Sequence, residues 1–248
     1  MAFNYKEYVT DKKFLKDYEN YQERYSSSIR ESDKKTIDLI GDWIHERKKE
    51  LRVLDIGCST GNLLYHLHNV YPDLELVGCD YAETSIRKCR QNTRLKNIEF
   101  HIADVTNPIK LGLFDIVLVN AVFYMMSEND FAKGLQNISK TLKKGGLLVL
   151  FDFANDFNQD LKITEVSKSH PLGLDIHFRP KEKIRELLLS TGFSKLKFVN
   201  FKLPIDLPLI SEQDHNELNS YTIKSEIGER LVFRGSLYQP WCHICARR

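Results

Sequence analysis

The sequence has no hydrophobic run that approaches the roughly 20 residues needed by a membrane-spanning helix. Its first residues, Met1–Glu7, lack the basic and apolar regions of a secretory signal peptide, so we expect a cytoplasmic protein. The formal net charge is only +2, which indicates neither an acidic nor a basic partner. Internal repeats and low-complexity tracts are also absent. The 248 residues are therefore expected to form one domain with a full core.

Cysteine is scarce, and its pattern does not indicate a disulfide framework. The five cysteines are an odd number in a chain without an export signal, so we expect reduced thiols. Cys242 and Cys245 form a C-x-x-C pair, but the flanking residues are typical of a strand. Residues three apart on a strand point to opposite faces, so this pair is not expected to hold a metal, and no metal site is predicted.

Apolar segments alternate with helical patterns from residue 51 onward, which predicts an α/β fold. The expected architecture is a seven-stranded, mostly parallel sheet with helices on both faces, preceded by a helix whose cap is Ser32 or Asp33. Ser127 is expected to cap the helix after the fourth strand. The core is expected over 32–203, with an insertion at 204–240 before the last strand. The predicted strands are Leu51–Ile56, Leu74–Cys79, Ile98–Ala103, Phe114–Val119, Leu147–Phe151, Phe193–Leu203 and Trp241–Ala246.

A glycine turn follows the first predicted strand. Asp55 lies at the end of the strand, and Gly57 and Gly61 precede an apolar helical pattern. Such a turn lets a ligand lie against backbone N–H groups at a helix N-terminus. The spacing is neither the dinucleotide pattern G-x-G-x-x-G nor a Walker loop. It resembles D/E-x-G-x-x-x-G, the first motif of the class I S-adenosylmethionine-dependent methyltransferases.

Four successive predicted strands end in polar residues, which are Asp55, Asp80, Asp104 and Asn120. In open α/β sheets, ligands bind at the carboxyl ends of the strands. Asp80 lies nineteen residues after Gly61, near the ~20-residue spacing at which a carboxylate accepts from ribose hydroxyls. Clustered carboxylates favour a cationic cofactor such as a sulfonium over an anionic dinucleotide.

The resemblance implies S-adenosylmethionine as the cofactor and an antiparallel last strand beside the sixth. It also implies that Asp55 and the Gly57–Gly61 turn hold the methionine moiety, Asp80 the ribose and Asp104 the adenine. Arg24 and Arg30 are candidates for the cofactor carboxylate, and either is otherwise a surface arginine. The predicted cofactor-binding residues are Asp55, Gly57, Cys58, Gly61, Asp80, Tyr81, Asp104, Val105, Asn120 and Arg30.

Three segments outside the core motifs are expected to enclose the acceptor. The N-terminal residues 1–31 are rich in tyrosine, and with 152–179 and 204–240 they are expected to form a lid over a small-molecule pocket. The last of these contains an expected hairpin, 221–224 against 231–234, that turns near Gly228. His170 and His177 are candidate general bases, and Tyr124 is a candidate lining residue. Each of the three is otherwise an ordinary structural or surface residue.

The acceptor itself has no motif. The residues after Asn120 lack the Asn/Asp-Pro-Pro-Tyr/Phe pattern of amide and base amino-methyltransferases, so nucleic-acid bases are disfavoured. We expect methyl transfer to oxygen or nitrogen of a small-molecule or carbohydrate-like acceptor. Two alternatives stay open: an RNA or protein methyltransferase that uses the basic segment Arg87–Lys96, and a non-catalytic cofactor-binding protein. The sequence indicates no oligomeric state.

Overall fold

The computed structural model describes residues 5–45, 50–166, 173–205, 220–224, 230–234 and 239–248. Within these residues the α-helices are α1 (Tyr5–Thr10), α2 (Lys12–Glu23), α3 (Glu31–His45), α4 (Asn62–Val70), α5 (Glu83–Gln91), α6 (Glu128–Thr141) and α7 (Lys181–Ser190). The strands are β1 (Arg52–Ile56), β2 (Glu75–Asp80), β3 (Glu99–Ile102), β4 (Phe114–Asn120), β5 (Leu142–Asn155), β6 (Leu161–Glu165), β7 (Leu174–Pro180), β8 (Ser194–Asn200), β9 (Ser220–Lys224), β10 (Arg230–Arg234) and β11 (Trp241–Arg247). Short 3₁₀ helices span Thr93–Leu95 and Phe123–Met125.

The main sheet has the strand order β3-β2-β1-β4-β5-β11-β8. Strands β1 to β5 pair in parallel, and β11 runs antiparallel between β5 and β8. Neighbouring residues of β1 face opposite cores, with Leu54 packed toward α6 and α7 and Val53 toward α3, α4 and α5. The prediction of a mostly parallel sheet covered on both faces, with an antiparallel last strand, is confirmed.

Two strands extend the sheet beyond the predicted seven. Strand β5 continues past Phe151 to Asn155, and β7 pairs with its end in parallel, while β6 pairs antiparallel with β7. The seven predicted strands included none within the segment 152–179, which is rich in polar residues such as Asp152. That expectation was wrong because the strand end is buried beneath Tyr8 of α1, and Asp152 is itself buried and accepts a hydrogen bond from the Phe153 N–H.

The predicted cap of α6 is confirmed, whereas the predicted cap of α3 is wrong. Ser127 caps α6 by accepting from the Asp130 N–H at 3.2 Å, as expected. The expected cap of α3 at Ser32 or Asp33 is wrong, because the helix already begins at Glu31. Asp33 instead lies in the first turn of α3 and is completely buried, which leaves its carboxylate for tertiary contacts.

The C-terminal part of the chain agrees with two further expectations. Strands β9 and β10 form the expected antiparallel hairpin, although its turn at Gly228 lies outside the described residues. On β11, Cys242 packs into the core beneath α6 and α7, whereas Cys245 packs toward the opposite core. The helices that the structure describes include none with the length and apolarity to cross a membrane.

Candidate functional site

The turn after β1 requires its glycines. Gly57 and Gly61 both have φ of 76°, in the left-handed region that glycine adopts most readily. A Cβ atom on Gly57 would lie 2.4 Å from Cγ2 of Val122. The N–H groups of Gly57 and Cys58 donate to the Cys79 carbonyl at 2.8 and 3.0 Å, which ties the turn to β2. Helix α4 then begins without a side-chain cap, so its first N–H groups face the turn.

The three predicted carboxylates lie at the carboxyl ends of adjacent strands but differ in their surroundings. Asp55 is only 2% exposed, and its Oδ1 has no hydrogen-bond partner among the described residues. Burial raises the pKa of Asp55 well above its usual value, and Asp33 and Asp80 raise it further. Burial also raises the pKa of Asp80, which accepts from the N–H groups of Ser59 at 2.9 Å and Ala82 at 2.8 Å.

Asp104 is already paired within the chain. It accepts from Lys6 Nζ and Thr106 Oγ1, both at 2.7 Å, and these contacts hold its pKa below the ordinary value although burial opposes them. Lys6 belongs to α1, so the N-terminal segment contacts the strand end where adenine is expected. An adenine amino group would therefore have to share or replace the Lys6 contact.

Asp33 connects two further predicted cofactor residues, Arg30 and Asn120. Its Oδ2 accepts from Arg30 Nε at 3.1 Å, and its Oδ1 accepts from Asn120 Nδ2 at 3.0 Å. Burial lowers the pKa of Arg30, but Asp33, together with Tyr18 and Tyr21, outweighs burial and the pKa is raised. The guanidinium thus stays charged, and Arg30 lines the same cavity as Gly57. The other candidate, Arg24, is exposed at the end of α2.

One cavity of about 880 Å³ joins these groups to a second, aromatic region. Its size is near the upper end of the range for small-molecule sites, ~300–1,000 Å³. The predicted site residues that line it are Gly57, Asp80, Tyr81, Asp104, Val105, Asn120, Arg30 and Tyr124. Asp55, Cys58 and Gly61 lie behind this lining within or beside the turn, and His177 lies on β7 outside the lining that the described residues form. His170 lies outside the described residues.

The 3₁₀ turn that carries Tyr124 is held by two residues that the sequence interpretation did not assign. Arg179 is 2% exposed and donates to the carbonyls of Phe123, at 3.0 Å, and Met126. Burial raises the pKa of Asp152 to about 7, although Arg179 and the backbone N–H groups of Phe123 and Tyr124 oppose the shift. Asp152 follows an apolar strand as Asp80 does, so the same strand-end pattern would have found it.

The basic segment at α5 is largely engaged in contacts within the chain. Lys88 pairs with Glu19, and Arg90 donates to the Phe100 carbonyl at 3.0 and 2.6 Å. Arg94 donates to the Ser26 carbonyl at 2.6 Å. These side chains attach α5 and the residues after it to β3 and to the N-terminal segment.

Comparison with known proteins identifies the fold and the family. A family model described as a methyltransferase domain matches residues 47–192. Malonyl-acyl-carrier-protein O-methyltransferase from Acetivibrio thermocellus is 26% identical over 71% of this chain and 62% of its own length. The tRNA N(3)-methylcytidine methyltransferase trm141 from Schizosaccharomyces pombe is 28% identical over 59% of this chain and 65% of its own length.

A solved structure of PigF with S-adenosylhomocysteine superimposes with a TM-score of 0.56 at 13% identity, covering 94% of this chain and 58% of that one. This likeness shows a shared fold. The chain spans only 40–62% of the length of four malonyl-acyl-carrier-protein relatives that it matches. The family match over 47–192 contains the glycine turn and strands β1 to β7, but not α1, α2 or β11.

Proposed function

We propose that this chain, which belongs to the class I S-adenosylmethionine-dependent methyltransferases, transfers a methyl group to oxygen or nitrogen of a small molecule enclosed in the cavity. The observation that carries the proposal is the continuity of that cavity. It runs from the carboxylate strand ends to an aromatic region beneath α1 and α2. Donor and acceptor would thus meet in one space, which brings the reacting groups together.

The residues at the strand ends fit the cofactor. At the glycine turn, the Oδ1 atom of Asp55 is buried behind the cavity lining without a partner among the described residues, so this carboxyl has an unused hydrogen-bonding atom there. Asp80 is oriented for ribose hydroxyls by its two backbone contacts, and Arg30 is oriented by Asp33 for a carboxylate. When bound, S-adenosylmethionine supplies a methyl group on a positively charged sulfur. The chain's own residues have only to hold the donor, align the acceptor and exclude water.

Two features favour a small acceptor over a macromolecule. The N-terminal helices contribute Tyr8, Phe14 and Tyr18 to the cavity wall, so the aromatic region lies under a cover. The basic segment that could contact RNA has Lys88, Arg90 and Arg94 engaged within the chain. Because the relatives include enzymes named for an acyl-carrier protein and for tRNA, both acceptors belong in the test.

Thermal unfolding with S-adenosylmethionine, S-adenosylhomocysteine and NAD tests the cofactor. At a ligand concentration of 100 times Kd, native-state binding stabilises by about 2.7 kcal/mol, which corresponds to a rise in Tm of roughly 5–10 °C. We expect this rise with the two adenosyl ligands, not with NAD, and its loss in Asp80→Ala. Asp73→Ala is the matched control, because Asp73 is exposed just before the opposite end of β2. An Asp80→Ala response equal to wild type would contradict the cofactor assignment.

Methyl transfer from labelled S-adenosylmethionine tests the acceptor class. The label is offered together with a low-mass metabolite fraction, with total tRNA or with malonyl-loaded acyl-carrier protein. We expect incorporation into the low-mass fraction. Incorporation into tRNA, with a steep dependence on salt, would favour the RNA alternative instead. Incorporation into the carrier protein alone would show that the cavity admits a tethered acyl group.

A further inference from the structure

The aromatic region of the cavity has two walls. The first follows α1 and α2, where Tyr8 packs on Phe14 with ring centroids 3.9 Å apart and Phe14 on Tyr18 at 5.3 Å. The second stands on the ends of the sheet, where Trp241 stacks on Phe151 at 4.6 Å and meets Tyr124 edge-on at 5.7 Å. All six side chains line the cavity. Flat rings recognise a planar or ring-shaped ligand through stacking at modest entropic cost.

In the part of the chain that the structure describes, the positive charge of this lining lies at the cofactor end. Of the described residues that line the cavity, Arg30 is the one with a cationic side chain, and Asp33 holds it beside the glycine turn. Acidic residues line the same cavity, namely Glu31, Asp80 and Asp104. A carboxylate or phosphate placed between the aromatic walls would therefore lose its hydrating water. Among the described lining residues, it would find no cationic side chain there to compensate.

Among the described residues, the polar atoms at the aromatic end include the hydroxyls of Tyr8 and Tyr124. Burial raises the pKa of Tyr8 and of Tyr124, and the nearby carboxylate of Glu165 raises both further. Tyr18 stands where the aromatic wall meets the cofactor end: it contributes to both shifts, burial raises its own pKa, and Arg30 opposes that rise. No cation acts on Tyr8 or Tyr124 in this way among the described residues. These phenols consequently stay protonated at neutral pH. Their surroundings disfavour a further negative charge in addition to the carboxylate of Glu165.

We propose that the aromatic walls bind a ring-shaped acceptor that carries no negative charge, stacked between the two walls and hydrogen-bonded through its oxygen or nitrogen to the tyrosine hydroxyls. This inference rests on the proposed function, since it describes the acceptor half of the same cavity. It makes charge, rather than size alone, the property by which the cavity selects among small molecules.

Matched pairs of ligands test the charge rule directly on the full chain loaded with S-adenosylhomocysteine. One pair is 4-hydroxybenzyl alcohol and 4-hydroxybenzoate, and the other is methyl glucoside and the methyl glycoside of glucuronic acid, whose C6 carboxylate is free. Binding is measured by calorimetry or by ligand-detected NMR. We expect the uncharged member of at least one pair to bind 10-fold or more tightly than its acid. Equal or tighter binding of the acids, or no binding by either uncharged ring, would overturn the inference.

A charge-insertion variant checks the cause. Leu203 lines the cavity and is 61% exposed, so Leu203→Lys adds a cation without disturbing the core. We expect it to raise the affinity for the acid several-fold, whereas Leu113→Lys, at an exposed position outside the lining, leaves it unchanged. No gain with Leu203→Lys would refute the electrostatic explanation. A chain that fails to bind S-adenosylhomocysteine at all contradicts the proposed function instead, so the two failures are distinguishable.

Discussion

Replacement of Asp152 by asparagine should change the pH dependence of stability in a defined direction. Burial raises the pKa of this carboxyl to about 7, against ~3.9 in the unfolded chain. The folded state therefore retains a proton that the unfolded state has lost between those values. The resulting stabilisation is fully present below the unfolded pKa and is lost as pH rises through about 7.

The magnitude follows from the width of that interval. Each pH unit is worth about 1.4 kcal/mol while only the unfolded state is ionised. From pH 5.5 to 7 the wild type should thus lose about 2 kcal/mol relative to Asp152→Asn, which does not titrate. For a chain of this length that is ~4–8 °C in Tm. Asparagine keeps the shape of the side chain and an oxygen to accept from the Phe153 N–H.

The assay is the difference in Tm between Asp152→Asn and wild type, measured in buffers from pH 5.5 to 8.5. Because other titrating groups are common to both proteins, they cancel in the difference. Asp156→Asn is the control, since Asp156 is exposed and its contact with Lys181 holds its pKa below the usual value. A difference that stays flat with pH would refute the reasoning, because it would mean that Asp152 is already ionised at pH 5.5.

Two more substitutions test the cofactor end of the cavity. Gly57→Ala should cost about 1–2 kcal/mol for its left-handed backbone, and more for the contact with Val122. Gly145→Ala provides the matched control in urea unfolding, because it has φ of 77° but no atom within 4 Å of its Cβ, and equal losses would contradict the contact. Arg30→Met should weaken S-adenosylhomocysteine binding about 10- to 100-fold by calorimetry, as expected for a lost charge-assisted hydrogen bond. Arg24→Met should have no effect. A similar loss with Arg24→Met would show that Arg30 had been wrongly assigned to the cofactor carboxylate.

The parts that could be predicted were those encoded over short distances. Apolar segments with period-specific spacing identified the strands of the main sheet, and the glycine turn was readable because few residues other than glycine adopt its backbone angles. The strand-end carboxylates were found for a related reason. Parallel strands place their carboxyl ends at one edge of the sheet, so Asp80 and Asp104 had to lie near the turn.

The residues that hold the cavity lining in place do so through contacts between distant parts of the sequence. Asp33 had the local pattern of a helix cap, yet it meets Asn120, 87 residues away in the sequence. Arg179 had no local signal, and it holds the turn at Phe123 from 56 residues away. His177 is a reasonable base by chemistry alone, but the pairing of β6 with β7 places it outside the described cavity lining.

The sequence by itself thus determined the sheet, the glycine turn and the carboxylates at the strand ends, because backbone angles and hydrophobic periodicity are local properties of a chain. Only the tertiary structure decided which arginine faces the cavity, which residues hold Tyr124 and where the aromatic walls stand. Those choices depend on how α1, α2 and β11 pack against the ends of the sheet. Packing of that kind sums many weak contacts over long sequence separations, and no short segment carries it.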